Sequence, residues 1–421
     1  MITVGLDFGT HQSKVCIEKK EGAELSYEFF RFKDADGKKQ FTLPSIIHVD
    51  SSGHMTYGYL PNKLKRGKII RYFKQATFTS VGNFPQTEAI NYSIWYMAYI
   101  LFELEELFGQ DFAIQMGVPS DGTSYRKRQQ LAVRILLSAY RLVEEVFEND
   151  KESFLKATIS ELKTVTKLLP YSDEKKEEFG ILIFPEAYYA CLMPLVKSQK
   201  IATGMSLMVD IGGGTTDISF FTIEKGKPQV YRFYSINKGL NYLTEADATN
   251  DTRHDSNVKD FSEINAERQC AFSSELNQIC INLRDALKKE FKMQSELPIQ
   301  RLTDALSARP LVYSGGGSTF GKLRQPHLGF KDIIHISGKE WHSEVMKDMK
   351  TINAMKLCPI LSTAYGLSIS VTDDKIRCKP FRDIFDEVRK WTVEKKPQKY
   401  VFGGSISSDG FDYGTDYDAL K

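Results

Sequence analysis

The chain opens on an apolar run broken by a tight turn. Residues 2–8 and 13–18 read as two short strands around Gly9 and Thr10, and Tyr27–Phe32 and Ser45–Val49 add further strand patterns. Between Gln86 and Phe108 the period changes: Ile90, Ile94, Met97, Ile100, Leu101, Leu104 and Leu107 recur at helical spacing, and Gly109 marks the end. This predicts an amphipathic helix whose apolar stripe covers the opening sheet. Phe112–Val118 follows as a strand stopped by Pro119, and Tyr125–Glu148 as a long helix preceded by Ser and Asp capping candidates. Strand and helix alternate, which is the pattern of an α/β fold.

Residues 149–180 run from ENDKES to SDEKKEEFG, with a short helical pattern in Phe154–Leu169, and read as a charged surface insertion. A second start follows. Ser206–Ile223 is a strand, turn and strand, Gln229–Ile236 another strand, Asp247–Asp260 a polar connector and Ser262–Met293 helical. Pro310–Ser314 is a strand running into Gly315–Gly317, and Ile360–Val371 is a helix of small residues. Past Val393 the chain turns rich in Lys, Gly, Ser, Asp and Tyr, a composition that buries little, and a loose tail is expected over 393–421. The division this gives is one lobe over 1–203, to which a helix in 360–392 returns, and a second lobe over 204–359.

Composition sharpens that picture. At 421 residues the chain exceeds one core of about 250–300 residues, so two lobes with a cleft between them are expected. Hydrophobic residues at 42% and charged residues at 26% are globular values. Lys+Arg 56 against Asp+Glu 54 leaves +2, so no overall field recruits nucleic acid or a membrane surface. Cys16, Cys191, Cys270, Cys280, Cys358 and Cys378 lie far apart without a CxxC pair, which fits reduced and mostly buried thiols rather than a disulfide frame or a zinc site. MITVGLDFGT enters a strand with no leader pattern, and the apolar stretch Ser93–Leu107 is interrupted by Glu103, Glu105 and Glu106. A soluble, cytoplasmic protein is expected.

Three glycine turns carry the candidate chemistry. In VGLDFGTHQSKVCI a strand delivers Asp7 to a turn built from Gly9 and Thr10, and the amides of such a turn form a nest for phosphate oxygens. In LMVDIGGGTTDISFF, Asp210 ends a strand, Gly212, Gly213 and Gly214 make a turn of phosphate width, and Asp217 opens the return strand. Two such hairpins can grip one polyphosphate from both sides. Asp7 and Asp210 suit Mg²⁺, which takes oxygen ligands and keeps most of its waters. In LVYSGGGSTFGKL, Gly315, Gly316 and Gly317 again end a strand, and a helix opens after them, a geometry for close approach to a ribose or adenine.

GLDFGT, DIGGGTTD and YSGGGST, in that order, resemble the phosphate-1, phosphate-2 and adenosine motifs of the actin-like ATPase superfamily. Between them the chain resembles the nucleotide-binding half of DnaK-type heat-shock chaperones over about residues 2–372: LPSIIHV, KIIRYFKQATF, EAINYSIWYMAYILFELEELFGQDFAIQMGVPS, RKRQQL, FPEAYYACL and CPILSTAYGLSIS each resemble a segment of that family. The resemblance implies an α/β, ribonuclease H-like fold of two lobes, each a mixed sheet flanked by helices, with a nucleotide cleft between. It implies ATP or ADP with Mg²⁺, slow hydrolysis with lobe closure, and a protein partner or co-chaperone it does not identify. By motif, Asp7 and Asp210 would serve Mg²⁺; Gly9, Thr10, Gly212, Gly213, Gly214 and Thr215 would wrap the phosphates; and Gly316, Gly317 and Ser318, with Gly315, would meet the nucleoside. Lys74 would contact the γ-phosphate and attacking water, and Glu186 and Asp217 would orient water or metal. Lys288 is the candidate on the adenine-side helix, and His11 replaces a small hydroxyl residue beside Thr10, within reach of phosphate. Phe320 stands where the family places an arginine that stacks on adenine.

Residues 373–421 are too few for the peptide-binding sandwich and lid of a full chaperone, so client binding is not expected. Two other readings share the turns: a bacterial actin-like filament or division protein, and, less favoured, a sugar or acetate kinase, for which the sequence offers no separate base.

Overall fold

The computed structural model describes residues 1–79, 84–109, 111–119, 124–169, 175–186, 205–224, 227–244, 264–307, 310–325, 332–336 and 357–372, together with 193, 330, 374, 378–381, 383 and 388. The polar connector 247–260, the tail 393–421 and Cys191 lie outside these residues, as does most of FPEAYYACL.

Strands β1 (Ile2–Asp7), β2 (Gln12–Glu21) and β3 (Glu24–Phe29) form an antiparallel meander. Short strands follow: β4 (Phe32–Lys33) pairs with β5 (Lys39–Gln40), β6 (Leu43–Pro44) joins β2, and β7 (Ile46–Asp50) lies between β8 (Met55–Tyr57) and β9 (Gly67–Arg71). Helix α1 (Phe73–Thr79) leads to α2 (Gln86–Phe108), after which β10 (Phe112–Val118) runs parallel to β1. Helix α2 ends as its pattern predicts, because Gly109 takes φ 64 and turns the chain away. Ile94, Met97, Ile100, Leu101 and Leu104 of its stripe are in the core, Ile90 is half-buried, and Leu107 at the helix end is exposed.

Helix α3 (Tyr125–Arg141) stops short of the expected Glu148 and passes into a π-helical turn, Leu142–Val146. Ser124, at its start, has helical φ and makes no side-chain cap. The charged stretch that follows is not simply laid on the surface. Helices α4 (Lys151–Lys156) and α5 (Ile159–Leu168), split by a capping box at Thr158 and Glu161, bury Phe154 and Leu162. Phe154 meets Tyr57, Phe102 and Phe147, and Trp95 Nε1 donates to Thr166 Oγ1 at 2.9 Å. Helix α6 (Lys175–Glu178) precedes β11 (Ile181–Pro185), which adds parallel to β10.

The second sheet repeats the first. Strands β12 (Ser206–Ile211), β13 (Thr216–Glu224) and β14 (Lys227–Ile236) are antiparallel, and β15 (Pro310–Ser314) and β16 (Asp332–His335) run parallel to β12 on its other side. The order is thus β3-β2-β1-β10-β11 in one sheet and β14-β13-β12-β15-β16 in the other. Between β14 and β15 lie α7 (Leu240–Leu243), α8 (Ala266–Gln294) and α9 (Ile299–Ser307). Asn265 caps α8 by accepting from Arg268 N, and Phe272, Leu276, Leu283, Leu287 and Phe291 form its buried stripe.

Helix α10 (Cys358–Ser368) ends before the expected Val371 and lies on β1 and β2. Gly5 permits that approach, since a Cβ there would overlap the helix backbone at Ala364 and Ser368. Gln115, in the middle of β10, holds the helix end: its Nε2 donates to Leu367 O at 2.5 Å and Ile369 O at 2.9 Å, and its Oε1 accepts from Val371 N. Of the described cysteines, Cys16, Cys280 and Cys358 are buried and Cys270 and Cys378 exposed, all as free thiols. No helix among the described residues is long and apolar enough to cross a membrane.

Candidate functional site

Each sheet carries one glycine hairpin turn, the two turns approach each other, and strand register decides what sits beside each. In the first, Asp7 closes β1 opposite Lys14 of β2, and Lys14 Nζ donates to Asp7 Oδ2 at 2.7 Å. Both are buried against solvent, with side chains 12% and 9% exposed. Ser45 fixes the turn from below: its hydroxyl donates to Gly9 O at 2.7 Å and its N–H to His11 O at 2.8 Å. Lys14 and Ser45 carry no signal as site residues in the sequence. Lys14 reads as one more polar strand position until the register puts it on Asp7.

In the second hairpin Asp210 and Asp217 face each other across β12 and β13, and Thr215 Oγ1 donates to Asp217 Oδ2 at 3.1 Å. Asp210 also pairs in register with Ser314, so the third glycine turn begins beside it. The two phosphate turns meet directly: a Cβ on Gly214 would lie 2.8 Å from Thr10 Oγ1, and one on Gly213 would overlap the His11 ring.

Lys74 comes from α1 and Glu186 from the residue just past β11, 112 positions apart, and they form a buried ion pair at 2.5 Å. The Lys74 ammonium also stands 5.8 Å over the ring of Phe8, which packs with Phe73 and Tyr96 beneath α1. Burial disfavours the ammonium, but Glu186, Asp7 and Asp217 together outweigh it and hold the Lys74 pKa above the ordinary lysine value. Burial also pushes the Glu186 carboxyl up to about 7, against Lys74 and with the help of Asp7 and Asp217. An ion pair alone would have lowered Glu186; the direction is upward because burial outweighs Lys74, with Asp7 and Asp217 adding to it. Asp217 is likewise pushed to about 6, first by burial and then by Asp210.

Asp7, Glu186, Asp210 and Asp217 gather about Lys14 and Lys74, so carboxylates outnumber ammonium groups in this cluster. A divalent cation would offset that excess. Among the described residues no group of three His, Cys, Asp or Glu side chains can by itself hold a metal ion. Mg²⁺, if it sits here, would be held largely through water and phosphate oxygens, the usual manner of that ion.

The third turn divides. Gly315 takes φ 79, and a Cβ there would overlap Asp210 Oδ1; a Cβ on Gly317 would overlap Ile211. These glycines are required by the chain's own packing. Gly316 is different: its Cβ would meet only Leu240 at 3.4 Å and Ile360 at 3.8 Å, so it alone of the three leaves room above the turn. Ser318 is fully buried, donates to Gly315 O at 2.7 Å and lies 3.0 Å from His335 Nε2, and so shapes the turn from beneath where a nucleoside contact was expected. Burial and then Arg324 push His335 down to about 4, which keeps it neutral. What opens after the glycines is a 3-10 turn, Gly316–Thr319, and a second, Gly321–Leu323, instead of a full helix. Phe320 between them is half-buried against the core of its own lobe. Lys288 is half-buried in the C-terminal half of α8, and no contact joins it to the glycine turns among the described residues.

The two sheets share one strand order and each carries a glycine hairpin flanked by aspartate, the arrangement that the sequence motifs lead one to expect of an actin-like ATPase fold. No family model matches the chain, and no curated protein does. Solved structures do. MreB 5 of Spiroplasma citri bound to AMPPNP is 13% identical, covers 94% of this chain and 98% of its own, with TM-score 0.41. The MamK double helical filament is 14% identical, with coverages of 88% and 99% and TM-score 0.40. An archaeal actin homologue is 14% identical, with coverages of 88% and 100% and TM-score 0.38.

Proposed function

We propose that the chain binds ATP with Mg²⁺ between its two hairpin turns and hydrolyses it slowly, as an actin-like ATPase. The observation that carries this is the convergence of Lys74–Glu186, Lys14–Asp7, Asp210 and Asp217 beneath two facing glycine turns. Backbone amides around Gly9, Thr10 and Gly212–Gly214 would receive the polyphosphate, with Lys14 and Lys74 as its point charges. Bound Mg²⁺ would supply charge compensation to the phosphate oxygens as the bond to the leaving group breaks. Water attacks the γ-phosphorus, ADP leaves, and the proton from water needs an acceptor. Glu186 at about 7 and Asp217 at about 6 are poised for it near neutral pH.

The test is phosphate release under ATP and Mg²⁺ by the wild type and by Lys74→Ala. The variant should still bind nucleotide and lose turnover; unchanged turnover would remove Lys74 from the site.

The DnaK-type refinement is supported only by the segment likeness around Lys74 and Glu186, and Phe320, which replaces the stacking arginine, is turned to its own lobe's core. Assembly into filaments, the description MamK carries, is the second reading. ATP-dependent sedimentation separates the two: a pellet that grows with ATP favours filaments, and a monomer at all concentrations rejects them.

A further inference from the structure

Two side-chain contacts join the two glycine turns, one from His11, expected above within reach of phosphate, and one from Gln75, which has no assigned task. His11 hydrogen-bonds through Nε2 to Asn241 Oδ1, at the start of α7, and Gln75, next to Lys74, donates from Nε2 to Gly214 O at 3.3 Å. Neither end is loose. Leu240 N and Asn241 N donate to Gly212 O and Gly213 O at 3.0 and 2.8 Å, so the start of α7 moves with the second phosphate turn. On the other side, Tyr72 meets the His11 ring edge-on at 5.4 Å and holds φ 61, a backbone state that a non-glycine residue keeps only when its surroundings impose it. The His11 ring fills the gap between the turns, since even a methyl group on Gly213 would overlap it.

We propose that His11 and Asn241, with Gln75 on Gly214 as a second point, form a clasp that joins the two phosphate turns and sets how fast nucleotide enters and leaves. The clasp rests on the ATP reading above, and it concerns lobe separation, not the hydrolytic step. Polyphosphate lodged between the turns cannot leave until they part, and each crossing hydrogen bond opposes that parting. One net side-chain hydrogen bond is worth about fivefold in such an equilibrium. Cutting either end of the same bond breaks the same contact, so the two changes should not add.

The experiment uses the full chain with two readouts: energy transfer between dyes on the two lobes without nucleotide, and stopped-flow release of a fluorescent ATP analogue chased by ATP. Asn241→Ala should lengthen the dye separation and speed release about fivefold. Its single-turnover hydrolysis rate, once loaded, should stay that of the wild type. His11→Ala should match it in release, and the double variant should be no faster than either. Asn241→Asp keeps the Oδ1 acceptor and should restore the wild-type dye separation without nucleotide. Unchanged separation and release in Asn241→Ala, or additive effects in the double variant, overturn the clasp. If the wild type binds no analogue, the ATP reading falls, and the dye separation alone decides: wider in Asn241→Ala supports the clasp, unchanged overturns it.

Discussion

Replacing Lys74 by Met is the perturbation whose size the site best defines. The Lys74 and Glu186 side chains are 5% and 9% exposed, so the substitution keeps most of the apolar stem and leaves a buried carboxyl without its partner. Breaking such a pair commonly costs about 3–5 kcal/mol when the remaining charge cannot escape. Glu186 can escape, because burial already lifts it to about 7 and loss of Lys74 lifts it further. Below about pH 7 the carboxyl is protonated in both folded proteins, and the gap between them stays constant. Above it, wild-type Glu186 ionises beside Lys74 while the variant must stay protonated. The gap should then widen by about 1.4 kcal/mol per pH unit until the variant's own pKa is reached. Urea unfolding of wild type, Lys74→Met and Lys74→Met/Glu186→Gln from about pH 6 to about pH 8.5 reads this directly, and the double variant should show no widening. A gap that is flat or narrows with rising pH would refute the coupling between Lys74 and Glu186.

The remaining predictions use the same cluster and its supports. Glu186 and Asp217 have folded pKa values raised above their unfolded ones, so the folded state binds more protons in that interval; wild-type stability should fall as pH rises from about 4 to about 7, and Glu186→Gln/Asp217→Asn should flatten the profile. Gly317→Ala forces a methyl into Ile211 and should destabilise by about 1–3 kcal/mol in thermal melts. Gly316→Ala, whose methyl would make only ordinary contacts with Leu240 and Ile360, should leave stability within about 0.5 kcal/mol and weaken nucleotide binding; the reverse ranking would contradict this division of the turn. Gln115→Leu strands the buried Leu367 and Ile369 carbonyls and should cost about 2–4 kcal/mol by urea unfolding.

Much of the fold could be read along the chain because local and tertiary preferences agree. Helix α2 keeps its expected limits since its stripe and Gly109 point the same way, and Phe112–Val118 and Pro310–Ser314 are strands with no competing period. The π-helical turn after Arg141 was hidden, and so was the burial of Phe154, which depends on Tyr57 and Phe102 far along the chain. The glycine turns were legible as turns. Their division into packing glycines and one open glycine was not, because Ile211 and Asp210 decide it from another strand. Lys14 was hidden for the same reason: a hairpin register, not a motif, brings it to Asp7. Lys74 and Glu186 were singled out only through family likeness, since nothing in the sequence between them, 112 positions apart, announces their pairing.

The central claim is that the two hairpins hold ATP with Mg²⁺, and a calorimetric titration of the intact chain tests it most directly. Saturable binding of one ATP per chain in Mg²⁺, weakened by chelation and by Gly316→Ala, is the predicted result. No measurable affinity for ATP or ADP with Mg²⁺ present would contradict it.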